Sequence, residues 1–188
     1  MRETWLRTNR RVLSLGMILP IVFIAVGLIA ILAMPTDLAW IRYAGWIAAA
    51  AGVLLLGLIG VQFRIPRLAY AQGRLLVYLA GGGPCELPIE VVQCFFLGSG
   101  SGQIPGPKGN KIGVRNLTVR LDEKATEYHR RDVNPDLGRW SDGYIVIHGA
   151  WCEPLDLALV QRLNQQLAQA QAEWTRQEQQ TGQSIADV

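Results

Sequence analysis

Val12–Met34, VLSLGMILPIVFIAVGLIAILAM, runs 23 residues without a charge, and Tyr43–Gln62, YAGWIAAAAGVLLLGLIGVQ, is a second apolar block. As a helix rising ~1.5 Å per residue, the first run reaches about 34 Å, enough to cross a hydrocarbon core of about 30 Å with some tilt. A buried helix of a soluble protein would be shorter or amphipathic, so both blocks read as transmembrane helices joined in a hairpin over 12–63. A cleaved signal peptide shares the basic start. Its apolar region is only about 7–15 residues long, however, and no A-x-A site follows here.

The composition divides along the same line. The chain has 188 residues, 50% hydrophobic and 18% charged, with a mean hydropathy of +0.19. Soluble domains carry about 25% charge, so apolar excess is concentrated in the hairpin. Through Phe63 there are five arginines and two acids, which carry the whole net charge of +3. From Arg64 onward, 13 basic residues face 13 acidic ones, so no bulk basic face for nucleic acid is expected. Three cysteines without a C-x-x-C spacing argue against a disulfide framework and fit a reducing compartment.

Orientation follows from the basic residues flanking the spans. Arg10 and Arg11 in the N-terminus (1–11), with Arg64 and Arg67 after the second span, predict that both termini are cytoplasmic and that the protein sits in the inner (plasma) membrane. Trp40, Arg42, Tyr43 and Trp46 fall where an outer interfacial belt belongs. Ala48 and Gly52, with Gly57 and Gly60 beyond, offer small surfaces that Gly16 or Gly27 of the first helix can meet, within one chain or between copies. Pro20 predicts a kink. Neither span has a central ionisable residue, which argues against a transporter.

After Phe63 the pattern turns to short strands. RLAYAQ (67–72) and RLLVYLA (74–80) flank Gly73 as a hairpin, and Gly81–Pro84 predicts a break in the sheet. LPIEVVQCFFL (87–97), IGVRNLTVRL (112–121), ATEYH (125–129) and GYIVIHGAW (143–151) read as further strands. Between them lie a glycine-rich loop, Gly98–Lys111, and a polar loop, Arg130–Asp142. The chain closes with an amphipathic helix over 154–179, whose stripe is Leu155, Leu159, Leu163, Leu167, Ala170 and Trp174. A disordered tail is expected over 181–188.

A two-helix hairpin, a strand entering at RIPRLAY, and a terminal GYIVIHGAWCEPLDLALVQRLNQQL strand–helix unit resemble bacterial membrane proteins with a pleckstrin-homology-like (PH-like) domain. The resemblance implies an α+β, mainly antiparallel fold: a cytoplasmic PH-like barrel over 64–180 capped by its C-terminal helix. The alternative fold is an unrelated small β-sandwich with a packed helix.

Chemistry is sparse. The glycine-rich loop with Lys108, Lys111 and Arg115 has N–H groups suited to phosphate, but no GxxxxGK[ST] lies between a strand and a helix. A hairpin connection is its simpler reading. His148 and Cys152 make only a loose pair, so no metal site is expected, and Cys94 and Cys152 read as core residues. No G-x-S-x-G occurs, and Glu123, Glu127 and His129 read as exposed strand charges; no catalytic set and no cofactor are expected. Arg130, Arg131 and Trp140 make the polar loop a candidate partner contact, Trp and Arg being favoured at binding hot spots. The expectation is a non-enzymatic interaction module bound to the bilayer and to a protein partner or a second copy. The alternative is a headgroup- or ligand-sensing domain acting through Gly98–Lys111.

Overall fold

The computed structural model describes residues 2–33, 39–105 and 111–186, with backbone alone at 99–105, 111–114, 178 and 181–186. The chain forms two units: Thr8–Ile65, and a second made of Met1–Arg7 together with Pro66–Val188.

In the first unit, Asn9 caps the opening helix by accepting the Arg11 amide at 3.1 Å. The helix runs as α1 (Arg10–Gly16) and α2 (Ile18–Ala33), interrupted at Met17. That interruption falls one turn before Pro20, which has no N–H for the Gly16 carbonyl. α3 (Ala39–Gln62) packs on α2 through glycine. A Cβ on Gly27 would lie 2.6 Å from the Gly45 carbonyl oxygen, and one on Gly52 would lie 2.6 Å from Ile24 Cγ1 and 2.8 Å from the Pro20 carbonyl oxygen. Gly57 and Gly60 face open space. The small-residue contact is thus within one chain, with Gly27 opposite Gly45. Large side chains point outward, Leu32 being 81% and Ile47 71% exposed. Both helices are long and apolar enough to span a membrane, and little of either is buried, unlike the core helix of a soluble protein.

The second unit is α+β, with two antiparallel four-stranded sheets and a long helix. One sheet has the order β1 (Glu3–Leu6), β2 (Leu68–Ala71), β3 (Arg74–Ala80), β4 (Gly83–Pro88). The other is β5 (Val92–Pro105), β6 (Lys111–Leu121), then β8 (Tyr144–Ile147) and β7 (Gly138–Ser141) at the outer edge. Two-residue turns with left-handed backbone make two of the hairpins: Gln72-Gly73 (φ 50° and 75°) and Asp142-Gly143 (φ 55° and 75°). A 3-10 turn, Ile89–Val91, hands the chain from one sheet to the other. A single core joins both sheets to the helix and includes Trp5, Leu6, Leu75, Leu87, Phe95, Leu117, Ile145 and Leu163. Trp5 bridges the sheets, stacked on Tyr70 at 5.4 Å and edge-on to Phe95 at 6.2 Å.

The helix α4 (Leu157–Ala186) starts after Asp156, whose Oδ1 accepts the Leu159 amide at 2.7 Å. Leu159, Leu163, Leu167 and Ala170 are buried, as the stripe requires. Its polar side also works: Asn164 accepts from the Phe95 amide (2.8 Å) and donates to the Phe95 carbonyl (2.9 Å). Gln171 Nε2 donates to the carbonyls of Ile89 (3.2 Å) and Val92 (2.8 Å). These bonds supply partners to the 3-10 turn and to β5, which is an edge strand among the described residues.

Several expectations are corrected. Residues 3–6 of the basic N-terminus are a strand, paired Glu3↔Tyr70 and Leu6↔Leu68. Gly81–Pro84 does not end the sheet; the chain turns there and continues into β4, with Ala80 opposite Gly83. The strand expected over 87–97 is split by the 3-10 turn. Ala125–His129 holds a 3-10 turn, Thr126–Tyr128, rather than a strand. The polar loop contains β7. Of the glycine-rich segment, the described residues 98–105 and Lys111 belong to β5 and β6, with Ile104 opposite Ile112. The final helix begins at Leu157 rather than Pro154, and extends to Ala186, through much of the expected tail. The ladders form two sheets and do not close into one barrel.

Candidate functional site

A groove of about 470 Å³ lies between the segment 130–135 and β7. Arg130, Arg131, Asp132, Val133 and Pro135 line one side, and Gly138–Asp142 the other, with His148 at the end. Its shape follows from the local sequence. Along β7, Gly138 and Trp140 turn inward while Arg139 is exposed and Ser141 half-exposed, a period-two pattern. Gly138 is required by crowding: a Cβ there would lie 2.2 Å from the Val146 carbonyl oxygen.

Trp140 is the floor and not an exposed anchor, which corrects its expected role. It is 3% exposed, and its Nε1 donates to the Tyr128 carbonyl at 2.7 Å. Arg131 lies over the rings of Tyr128 and Trp140, at 5.6 and 5.8 Å. Among the described residues, Arg130, Arg131 and Arg139 make no ion pair, whereas Arg74, Arg120 and Arg162 are each bridged to a glutamate. His148 Nδ1–H donates to the Asp136 carbonyl at 3.1 Å, which holds the ring at the groove's end.

Of the other basic candidates, Arg115 is exposed on β6, opposite Ser99. Lys111 opens β6, and Lys108 lies outside the described residues. The loop residues are therefore not brought to the groove by any contact described. Among the expected interfacial residues, Arg10 and Arg11 begin α1, and Arg64 follows α3; all three are exposed. Trp40, Arg42, Tyr43 and Trp46 are exposed in the first turns of α3, the last three lining a shallow hollow with Ala39. Arg67 is the exception. It is 5% exposed inside the sheet domain, with Nε donating to the Trp151 carbonyl (3.3 Å) and Nη1 to the Tyr78 carbonyl (3.4 Å). Burial lowers its pKa from the usual guanidinium value.

The residues weighed for catalysis and metal binding have other occupations. Cys152 is buried, its thiol donating to the His148 carbonyl at 3.4 Å, and burial pushes its pKa up to about 12. A thiol so protonated is a core group rather than a nucleophile. Cys94, expected in the core, is only half-buried, as is Cys85. Glu123 pairs with Arg120 at 2.9 Å, and His129 Nε2–H donates to the Asp122 carbonyl at 2.9 Å. No group of three His, Cys, Asp or Glu side chains suited to a metal occurs among the described residues.

Fold and groove together define an α+β domain whose sequence is interrupted by two long apolar helices, with an arginine-lined cleft on its second sheet. No known protein family, curated protein or solved structure matches the chain.

Proposed function

We propose that this is an integral membrane protein of the plasma (inner) membrane, which holds a PH-like interaction module against the cytoplasmic leaflet as a non-catalytic scaffold or complex component. One observation carries the reading: the strand before the helix pair and the strand after it are neighbours in one sheet. The Arg67 amide donates to the Leu6 carbonyl at 2.9 Å. The chain leaves one folded unit at Arg7 and returns to it at Pro66, so the apolar pair is an excursion from that unit rather than part of its core. Lipid is the natural solvent for helices whose leucines and isoleucines face outward. The arginines around Arg10 and Arg64 favour the cytoplasmic side for the domain.

Two packed antiparallel sheets capped by a C-terminal helix support the PH-like assignment as an architecture. The headgroup-sensing alternative at Gly98–Lys111 has less behind it. Ser99, Gln103 and Ile104 are paired across the β5–β6 ladder, so the described part of that segment is strand and not the open loop a phosphate cradle needs. The test is affinity purification of the full chain in mild detergent after cross-linking in native membranes. A protein partner or a second copy should be recovered in stoichiometric amount, and recovery of the monomer alone would refute the reading.

A further inference from the structure

We propose that the groove between residues 130–135 and β7 is the docking site for an acidic segment of a partner protein. The inference rests on the interaction-module reading above and gives the partner a chemistry. Three arginines line the groove, and none is ion-paired among the described residues. Arg131 sets its guanidinium over the rings of Tyr128 and Trp140. That cation–π contact holds the group while using none of its N–H donors, which are left to meet a carboxylate. Trp140 is itself pinned through Nε1, so the platform under Arg131 is set before a ligand arrives.

The lining also selects among occupants. A small-molecule cleft encloses most of its ligand, ~70–90% of the surface. Here Arg130, Asp132, Arg139 and Asp142 are all exposed along an open rim. An anionic bilayer is read by clusters of about 4–8 basic residues; this groove sets three arginines against two aspartates, which a bilayer would repel. A peptide suits the mixture. Its carboxylates meet the arginines, and its backbone N–H groups donate to Asp132 and Asp142.

The experiment uses the full chain in phosphatidylcholine nanodiscs and a fluorescein-labelled hexaglutamate probe read by anisotropy. Saturable binding is expected, at least tenfold weaker for Arg139→Gln and weaker again for Arg131→Gln with Arg139→Gln, and absent for hexaserine. Arg139 is exposed, so its substitution should leave the thermal midpoint unchanged and separates lost contact from lost fold. Three results would each overturn the proposal: no saturation, equal binding by Arg139→Gln, or displacement by inorganic phosphate as effective as by unlabelled hexaglutamate. The last would make the groove a simple anion site. If hexaglutamate fails while the chain still co-purifies with a protein, the docking site falls and the module reading stands.

Discussion

Cys152 and Arg67 share a buried corner of the sheet domain, and each is shifted mainly by loss of water. For Cys152 the consequence for stability has a definite sign. Its folded pKa, about 12, lies above the ordinary thiol value near 9, so above pH ~9 the unfolded chain releases a proton that the folded one retains. The contribution is complete below pH ~9 and is lost as pH rises toward ~12, at up to ~1.4 kcal/mol per pH unit. Urea midpoints for wild type and Cys152→Ala should therefore converge between pH 8.5 and 10.5, and parallel curves would show that the thiol is not buried this way. At pH 8 a soluble maleimide should label Cys85 and Cys94 well before Cys152. Cys152 is legible in the sequence as a core residue because a free cysteine behaves as a small hydrophobe. Arg67 was not legible: an arginine after a membrane span reads as an interfacial anchor, and only the Trp151 and Tyr78 carbonyls mark it as internal.

Among the elements, the helices show where close approach matters. Gly27→Val should unfold or splay the α2–α3 pair, since its Cβ has backbone 2.6 Å away, whereas Gly57→Val meets nothing. Helix-pair melting in micelles followed by circular dichroism should separate the two variants clearly; equal behaviour would remove the glycine contact. Asn164→Ala leaves both polar groups of Phe95 unpartnered at the edge of β5 and should cost about 1–3 kcal/mol in urea denaturation. The helical stripe announced α4 from the apolar residues alone, but Asn164 and Gln171 looked like ordinary solvated polar positions. Nothing local in a helix tells which amide reaches a strand some 70 or 80 residues away. β7 is hard to read from the sequence for a different reason. Ser141-Asp142-Gly143-Tyr144 contains the Asp-Gly pair that marks a tight hairpin, and alternation from Gly138 to Ser141 leads into it. Arginines and aspartates before it make the whole segment read as loop and Trp140 as a surface anchor, whereas that ring is the floor of the groove.

At the scale of the whole chain, the domain is discontinuous. The division between a hydrophobic hairpin and a β-rich remainder was readable from charge and periodicity, but the domain boundary was not. Four residues, Glu3–Leu6, are too few for alternation to declare a strand, and their partner lies beyond both helices at Leu68–Tyr70. Yet Trp5 and Leu6 are among the most buried side chains of the core. At about 1.5–3 kcal/mol each, their burial is a large part of a typical net stability of about 5–15 kcal/mol. A fragment comprising 66–188 alone should therefore be unstable, with β2 left as an open edge prone to association. Joining residues 1–7 to 66–188 through a short glycine–serine turn should restore a folded, monomeric, water-soluble domain, because Leu6 and Arg67 already share a hydrogen bond. Size-exclusion chromatography and urea denaturation of the two fragments decide the matter. If 66–188 alone were as stable and as monomeric as the joined form, the N-terminal strand would be an accessory, and the helix pair would precede a complete domain rather than interrupt one.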